Sequence, residues 1–433
     1  MKKLVALVGL LVFVASSYAA LRVAPAPSFA RPESFATGRG PNSVAIGDLN
    51  GDSKPDLVSA NGSAQSISVL LNRGDGGFDV KADYRTGVLP RSVAIGDLNS
   101  DGKPDLATAN GTGSVSLLVN RGDGTFGRQT ELRLAAAAVA IGDLNSDGKA
   151  DLAVAGGYHV SVLLNGGGGT FQPPLAYQTG SDPSSVAIGD LNADGRPDLA
   201  TANWEDDTIS VLLNRGDGSF QPKHDYGAAI HPNSVAIGDL NGDSKPDVVA
   251  ANGGTKEVTV FLNRGQGTLR LGGEYATGGF ALSAAIGDLN GDGKPDVAAT
   301  TYTANRIAVL VNRGSGRFQP RLEFGTGPRL FALAIGDLNA DGRLDLATTS
   351  GNNTVSVFID SPGLCTVQDV EGKRLPIAKR AIARANCRAG RIRRAYSARF
   401  DRGRVISQKP KPGTVLPAGG RVTLVVSRGR KPS

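Results

Sequence analysis

A nine-residue pattern, Asp-Leu-Asn-x-Asp-(Gly/Ser)-(Lys/Arg)-x-Asp, occurs seven times in this chain of 433 residues. Its copies begin at Asp48, Asp97, Asp143, Asp190, Asp239, Asp288 and Asp337, so successive first aspartates are 49, 46, 47, 49, 49 and 49 residues apart. A near-constant period of this size restricts the fold severely. Each repeat must build one supersecondary unit that buries its apolar surface against the next, as propeller blades or comparable arrays do.

Within each copy, oxygen side chains stand at positions 1, 3, 5 and 9, a donor set that suits a hard cation such as Ca²⁺. The carbonyl of position 7 would add a backbone ligand. The expected donors are Asp48, Asn50, Asp52, Lys54 and Asp56 in the first loop, and Asp97, Asn99, Asp101, Lys103 and Asp105 in the second. The third and fourth supply Asp143, Asn145, Asp147, Lys149 and Asp151, then Asp190, Asn192, Asp194, Arg196 and Asp198. The fifth to seventh supply Asp239, Asn241, Asp243, Lys245 and Asp247; Asp288, Asn290, Asp292, Lys294 and Asp296; and Asp337, Asn339, Asp341, Arg343 and Asp345. Lys and Arg enter these sets through their carbonyls alone. Up to seven structural Ca²⁺ ions are expected. Position 6, where a tight turn favours φ > 0, is Gly in five copies but Ser53 and Ser244 in the first and fifth, which are therefore expected to be the more strained. An EF-hand is excluded because strand-like residues flank the loop and position 12 holds Ser59 in place of a bidentate Glu.

Four strands are expected per repeat. In the first these are Ser43 to Gly47, Leu57 to Ala60, Ile67 to Leu71 and, after the turn Asn72-Arg73-Gly74-Asp75-Gly76-Gly77, Phe78 to Tyr84. Short runs of small and β-branched residues between Gly-rich turns favour packed sheets over helices. The seventh copy ends near Ile359 without a fourth strand, whereas residues 29–38 precede the first copy as an unassigned one. The N-terminal strand is expected to complete the last unit and close a ring, which removes exposed edges.

The Ala-Ile-Gly-Asp-Leu-Asn lead into each loop and turns such as Gly122-Asp123-Gly124-Thr125-Phe126 resemble FG-GAP and VCBS-type repeats over about residues 28–360. That resemblance implies an all-β, seven-bladed β-propeller similar to the integrin α-subunit head, with Ca²⁺ in loops between first and second strands.

The chain opens with Lys2 and Lys3, an apolar run and small residues, the pattern of a secretory signal over residues 1–19. No later apolar run of about 18 residues follows, so no transmembrane span is expected. Cys365 and Cys387 are the only cysteines, and in an exported chain such a pair is expected to bridge, worth roughly 3 kcal/mol in the chain-entropy account. From residue 361 onward, 18 Lys and Arg face three carboxylates, net +15, against net −8 for the first 360 residues. Of the 37 acids in the longer part, 21 belong to the loops, so cation binding would relieve a concentrated self-repulsion.

After a linker expected at Asp360-Ser361-Pro362-Gly363, Leu375, Ala378, Ile382 and Ala385 carry helical spacing, and residues 405–408 and 420–427 read as strands around a Pro-Gly turn. Val367-Gln368-Asp369-Val370-Glu371-Gly372 and the stretch Val405 to Val426 resemble a PASTA domain, a small α+β module expected over 361–433, with Gln368 where that family has Pro. Some members bind peptidoglycan fragments and others are spacers, so the resemblance implies wall association. Arg391, Arg393 and Arg394 form its densest basic cluster.

Three Arg-Gly-Asp triplets, at Arg73, Arg121 and Arg215, recur at one repeat position and read as hairpin chemistry. His159, His224 and His231 are scattered without metal spacing, and no nucleophile context suggests an enzyme. Connectivity puts the cation loops and the Arg-Gly-Asp turns on one face. The variable loops lie on the other, where Trp204, Tyr158, Tyr302 and His231 are candidate ligand contacts. The expected function is a secreted, monomeric, non-enzymatic ligand-binding or adhesion protein whose partner is a glycan, peptidoglycan or surface protein and not nucleic acid. A propeller lectin and a carbohydrate-active enzyme with structural Ca²⁺ are the alternatives.

Overall fold

The computed structural model describes residues 26–325, 327–360, 365–384, 387–416 and 421–431. The expected signal segment 1–19 and linker residues 361–363 lie outside these. Among the described residues, seven four-stranded antiparallel sheets follow one another along the chain. The first comprises Pro41–Gly47, Asp56–Asn61, Ser66–Leu70 and Ala82–Arg85, paired in that order. Its second and third strands are buried at every residue, and the same holds for second strands throughout. Runs such as Asp105–Asn110, with sequence DLATAN, are small-residue strands covered on both faces by neighbouring sheets. The core accordingly lies between sheets: Leu49, Val58 and Ile67 of the first pack with Val93, Leu106 and Phe126 of the second.

Two contacts repeat around the assembly. The glycine that ends each first strand lies against the isoleucine of the next sheet's first strand: Gly47 on Ile95, Gly96 on Ile141, Gly142 on Ile188, and so on to Gly336 on Ile46. The last pair returns to the first sheet, so the ring is closed. At the other end of the first strands, Ser43 Oγ accepts from Val93 N–H and Ser92 Oγ from Val139 N–H, both at 3.3 Å. Equivalent bonds run from Ser185, Ser234 and Ser283 to the following sheets.

The closing strand comes from the N-terminal part of the described chain. Glu33–Ala36 pairs with Thr354–Phe358, with Glu33 opposite Val357 and Ala36 opposite Thr354, completing the seventh sheet. Phe29 stacks edge-on against Phe324 at 4.9 Å and so covers the seam between the sixth and seventh sheets.

Several expectations need correction. The fourth strand of the first sheet begins at Ala82 rather than Phe78; Phe78 makes an isolated bridge to Asn72, and its buried ring fills the gap beside the preceding sheet. The third unit adds a small hairpin, Asn165–Gly167 with Thr170–Phe171. Asp360 is no linker residue: it is buried and bonded into the seventh sheet.

The C-terminal residues form a separate small core. Helix Leu375–Arg384 buries Ala378 and Ile382 against Val405, Val422, Leu424 and Val426. Beneath it lies a three-stranded sheet in the order Arg388–Ala395, Arg421–Ser427, Val405–Lys409. The sequence reading missed the strand Arg388–Ala395, since its arginines mask the alternation. Cys365 sits on the short strand Cys365–Thr366, but its side chain, and with it the expected bridge to Cys387, lies outside the described part; Cys387 is buried in this core. No helix among the described residues is long and apolar enough to cross a membrane.

Candidate functional site

Each acidic loop connects the first and second strands of a sheet and is wound by its own carboxylates. In the first, Asp48 Oδ1 accepts from Gly51 N–H at 2.8 Å and its Oδ2 from Ser53 N–H at 2.8 Å. Asn50 Oδ1 accepts from Asp52 N–H, and Asp52 Oδ1 from Lys54 N–H, both at 3.0 Å. Short Asx turns of this kind satisfy the loop backbone locally. The position-7 side chain, expected to contribute only its carbonyl, also pairs with the position-5 carboxylate in every loop, from Lys54 with Asp52 at 3.1 Å to Arg343 with Asp341 at 3.7 Å. In the third loop the Lys149 N–H, then its ammonium, hold the Asp147 carboxyl below its ordinary range.

The ninth aspartate is different in kind. Asp56, Asp105, Asp151, Asp198, Asp247, Asp296 and Asp345 are all fully buried. Asp56 accepts from Leu49 N–H through Oδ2 and from Asn72 N–H through Oδ1, both at 2.8 Å. Burial pushes its carboxyl up to about 6, partly opposed by these N–H groups and reinforced by Asp52 and Asp48. Asp296 reaches about 7 for the same reasons.

That second donor belongs to an asparagine absent from the predicted site. Asn72 Nδ2 donates to Pro55 O of its own sheet at 2.7 Å and to Leu338 O of the preceding sheet's loop at 2.8 Å, while its Oδ1 accepts from Gly74 N–H at 2.7 Å. Asn120, Asn165, Asn214, Asn263 and Asn312 repeat the arrangement, reaching Leu49, Leu98, Leu144, Leu191 and Leu240. These residues tie six of the seven cation loops to the next unit. The recurring Asn before Arg-Gly was the available signal. In the seventh sheet Asp360 takes the place of Asn, and its Oδ2 instead faces Arg343 Nε at 3.6 Å.

Backbone strain is distributed differently from expectation. Position 6 is left-handed in all seven loops, with φ 65° at Ser53, 63° at Ser244 and 79° to 81° at the glycines. Position 4 is left-handed as well, and is filled by Ser100, Ser146, Ala193 and Ala340 in the four loops of Gly-only position 6 outside the sixth. The first and fifth loops offset Ser53 and Ser244 with Gly51 and Gly242. Each loop except the sixth therefore carries one strained non-glycine residue.

Among the described residues, no three or more His, Cys, Asp or Glu side chains are gathered closely enough to hold a metal ion. The donor chemistry nevertheless fits: hard oxygens predominate, and in the sixth loop Asp292 Oδ2 is buried without a hydrogen-bond partner.

The opposite face has a different character. A cavity of about 460 Å³ opens at the ring's centre, lined from all seven first strands or their approaches by residues including Asn42, Ser92, Ala138, Ser184, Asn233, Ser283 and Ala332, with Arg91, Asp182 and Trp204 at its wall. Of the four candidate contacts, Trp204 lines this cavity and is backed by a second, His231. The Trp204 and His231 rings stack at 4.7 Å and 4°, and His231 Nδ1–H donates to Trp204 O at 2.9 Å. Tyr302 instead leans on Phe331 at 5.7 Å, and Tyr158 stands 71% exposed without a ring partner among the described residues.

The Arg-Gly-Asp turns sit on the cation-loop side. A Cβ on Gly74 would meet the Lys54 side chain at 2.9 Å, and Asp75, Asp123 and Asp217 each accept an N–H two residues on. This is hairpin chemistry, as the degenerate copies indicated.

Six overlapping matches to the FG-GAP-like repeat family cover residues 48–108, 97–154, 143–201, 190–250, 239–299 and 288–348, and the PASTA domain family matches 366–428. No curated protein matches this sequence. Among solved structures, BBS1N in complex with ARL6DN aligns at TM-score 0.54 and 13% identity over 77% of this chain and 96% of that one. Hydrazine synthase of Kuenenia stuttgartiensis aligns at 0.51 and 16% identity over 73% and 95%. An Agrocybe aegerita lectin specific for non-reducing terminal N-acetylglucosamine aligns at 0.48 and 23% identity over 66% and 80%. The first two likenesses concern a propeller-like fold alone. With its repeats matched from residue 48 to 348, the chain belongs to the FG-GAP-like repeat family.

Proposed function

We propose that this protein is a secreted, non-enzymatic binding protein: a seven-bladed β-propeller over residues 28–360, stiffened by Ca²⁺, with a C-terminal PASTA domain that associates it with the cell envelope. In each loop the first, third, fifth and ninth side chains and the seventh carbonyl would hold the cation, whose charge offsets the three carboxylates. The raised pKa values of the buried ninth aspartates support this, since burial and the neighbouring carboxylates both disfavour their ionisation.

One observation carries the binding role. The cavity of about 460 Å³ on the face away from the loops brings hydroxyl and amide side chains from five of the seven sheets around one mouth, with Trp204 at its wall. Such a concave, polar site with an aromatic rim suits a polyhydroxylated ligand, which hydroxyls and amides can bond and an indole can cover. A glycan is favoured over a surface protein because the site is concave rather than broad.

The experiment is a glycan and peptidoglycan array probed with the full chain in Ca²⁺ and in chelator, alongside Trp204→Ala. We expect selective binding weakened about tenfold or more by the substitution. Unchanged binding by Trp204→Ala would remove the mouth as the site, and turnover of a bound glycan would overturn the non-enzymatic reading.

A further inference from the structure

The C-terminal sheet leaves one face uncovered among the described residues. Along Arg421–Ser427, Val422, Leu424 and Val426 are buried on the helix side, while Arg421 is exposed and Thr423 and Val425 are partly so. Strand register extends that open face sideways: Arg393 lies opposite Val425 on one edge strand, and Lys409 opposite Thr423 on the other. Arg393, Lys409 and Arg421 are all exposed, as are Arg391 and Arg394 along the same edge, Arg394 being opposite Val426 and so on the helix side of it. The three strands contain no carboxylate. None of the five cations has an acidic partner among the described ion pairs, where Arg404 with Asp401 is the C-terminal pair.

We infer that this open sheet face is a docking surface for a polyol phosphate, a flexible polyanion whose phosphodiester groups are joined by short polyols rather than by nucleosides. Charge complementarity selects an anion, and guanidinium forks present paired donors to the oxygens of a phosphate. Three strands at about 4.8 Å spacing give a strip about 10 Å across, the breadth of a single chain rather than a bilayer. Val425 and Thr423 in its middle offer apolar contact to the polyol carbons between phosphates, while the cations stand around them. The open face is part of the surface of the unit that the PASTA family matches, so the inference rests on the envelope-binding part of the proposed function and names the chemistry recognised.

The test is binding of the full chain to soluble poly(glycerol phosphate), followed by fluorescence anisotropy at rising salt, with a single-stranded DNA oligonucleotide and neutral dextran as other arms. Affinity for poly(glycerol phosphate) is expected to fall steeply with salt, as counterion release requires. The double variant Arg393→Glu/Arg421→Glu should weaken it about tenfold or more, Lys409→Glu about threefold, and the distant Arg121→Glu not at all. Should the double variant fail to fold, Lys409→Glu alone decides. Salt-insensitive binding, equal binding by Lys409→Glu, or tighter binding to the oligonucleotide would overturn the proposal. Sedimentation of the chain with isolated envelopes despite no binding to the soluble polymer would overturn the phosphodiester surface while leaving envelope association intact.

Discussion

Gly336 lies against Ile46: a Cβ added to the glycine would stand 3.1 Å from Ile46 Cγ2. The two belong to the last and first sheets, so the contact closes the ring, and it is the same contact that six other Gly and Ile residues make between consecutive sheets. The recurring Ala-Ile-Gly lead thus supplies both halves of an interface, with Ile facing one neighbour and Gly receiving the other. This is a close-approach requirement, distinct from the left-handed glycines of the loops.

Gly96→Ala tests it where the fit is tightest, since the new Cβ would fall 2.6 Å from Ile141 Cγ2. Overpacking of this kind should cost about 1–3 kcal/mol in chemical denaturation. Ile141→Ala in the same chain should recover part of the loss. Additive effects of the two substitutions would contradict direct contact.

The asparagine latch makes a second prediction. Asn120 Nδ2 donates to Leu49 O and Pro104 O, each at 2.8 Å, from a fully packed site. Asn120→Asp keeps the shape but turns an acceptor toward two carbonyls. Loss of two buried bonds, each worth about 1–3 kcal/mol when a group is left unsatisfied, should lower stability by about 2–6 kcal/mol. A melting temperature equal to that of the parent would show that the latch carries no weight.

The buried aspartates give the metal-free chain a definite pH dependence. Burial first, then neighbouring carboxylates, lift Asp56, Asp198, Asp247 and Asp345 to about 6 and Asp296 to about 7, from an ordinary 3.8. The folded chain therefore holds protons more tightly than the unfolded one. Their stabilising contribution is full below about pH 4 and is lost as pH rises through 6 to 7. Thermal melts in chelator between pH 4 and 8 should show this decline, and a rise in stability toward neutral pH would contradict it.

Much of this architecture was legible because the period, the loop donors and the unmatched terminal strand are properties of order along the chain. The ring closure through Glu33–Ala36 needed only a count of strands. What escaped were roles set between units. Asn120 belongs by sequence to a turn of the second repeat, yet its use is to hold the first repeat's loop. Trp204 and His231, 27 residues apart in the connections of neighbouring units, share nothing in sequence but aromaticity, and only the ring brings them into a stack. The second left-handed residue, at position 4, has no mark in the sequence because Gly, Ser and Ala all fill it, as Ala193 does with φ 61°. The basic strand Arg388–Ala395 was hidden by its composition, since at an edge strand only Ile392 needs to reach the core.

Calcium should raise the melting temperature, and the loop geometry says by what route. Asp48 and Asp52 already orient the backbone by accepting from its N–H groups, so a cation would find its loop wound and would add charge compensation beside the buried Asp56. Each filled site adds about 2.7 kcal/mol when free Ca²⁺ is a hundred times its dissociation constant. Chelation should remove this, with the largest loss near neutral pH, where the ninth carboxylates of the metal-free chain are forced to ionise. The sixth loop, with glycine at both left-handed positions and with Asp292 Oδ2 buried without a hydrogen bond and only 3.6 Å from the Lys294 ammonium, should be among the tightest sites, so Asp292→Asn should cost more of the calcium-dependent shift than Asp194→Asn in the fourth. Calorimetric titration and melting curves read both effects, and a curve indifferent to Ca²⁺ at pH 7 would reduce the loops to hydrogen-bonded turns.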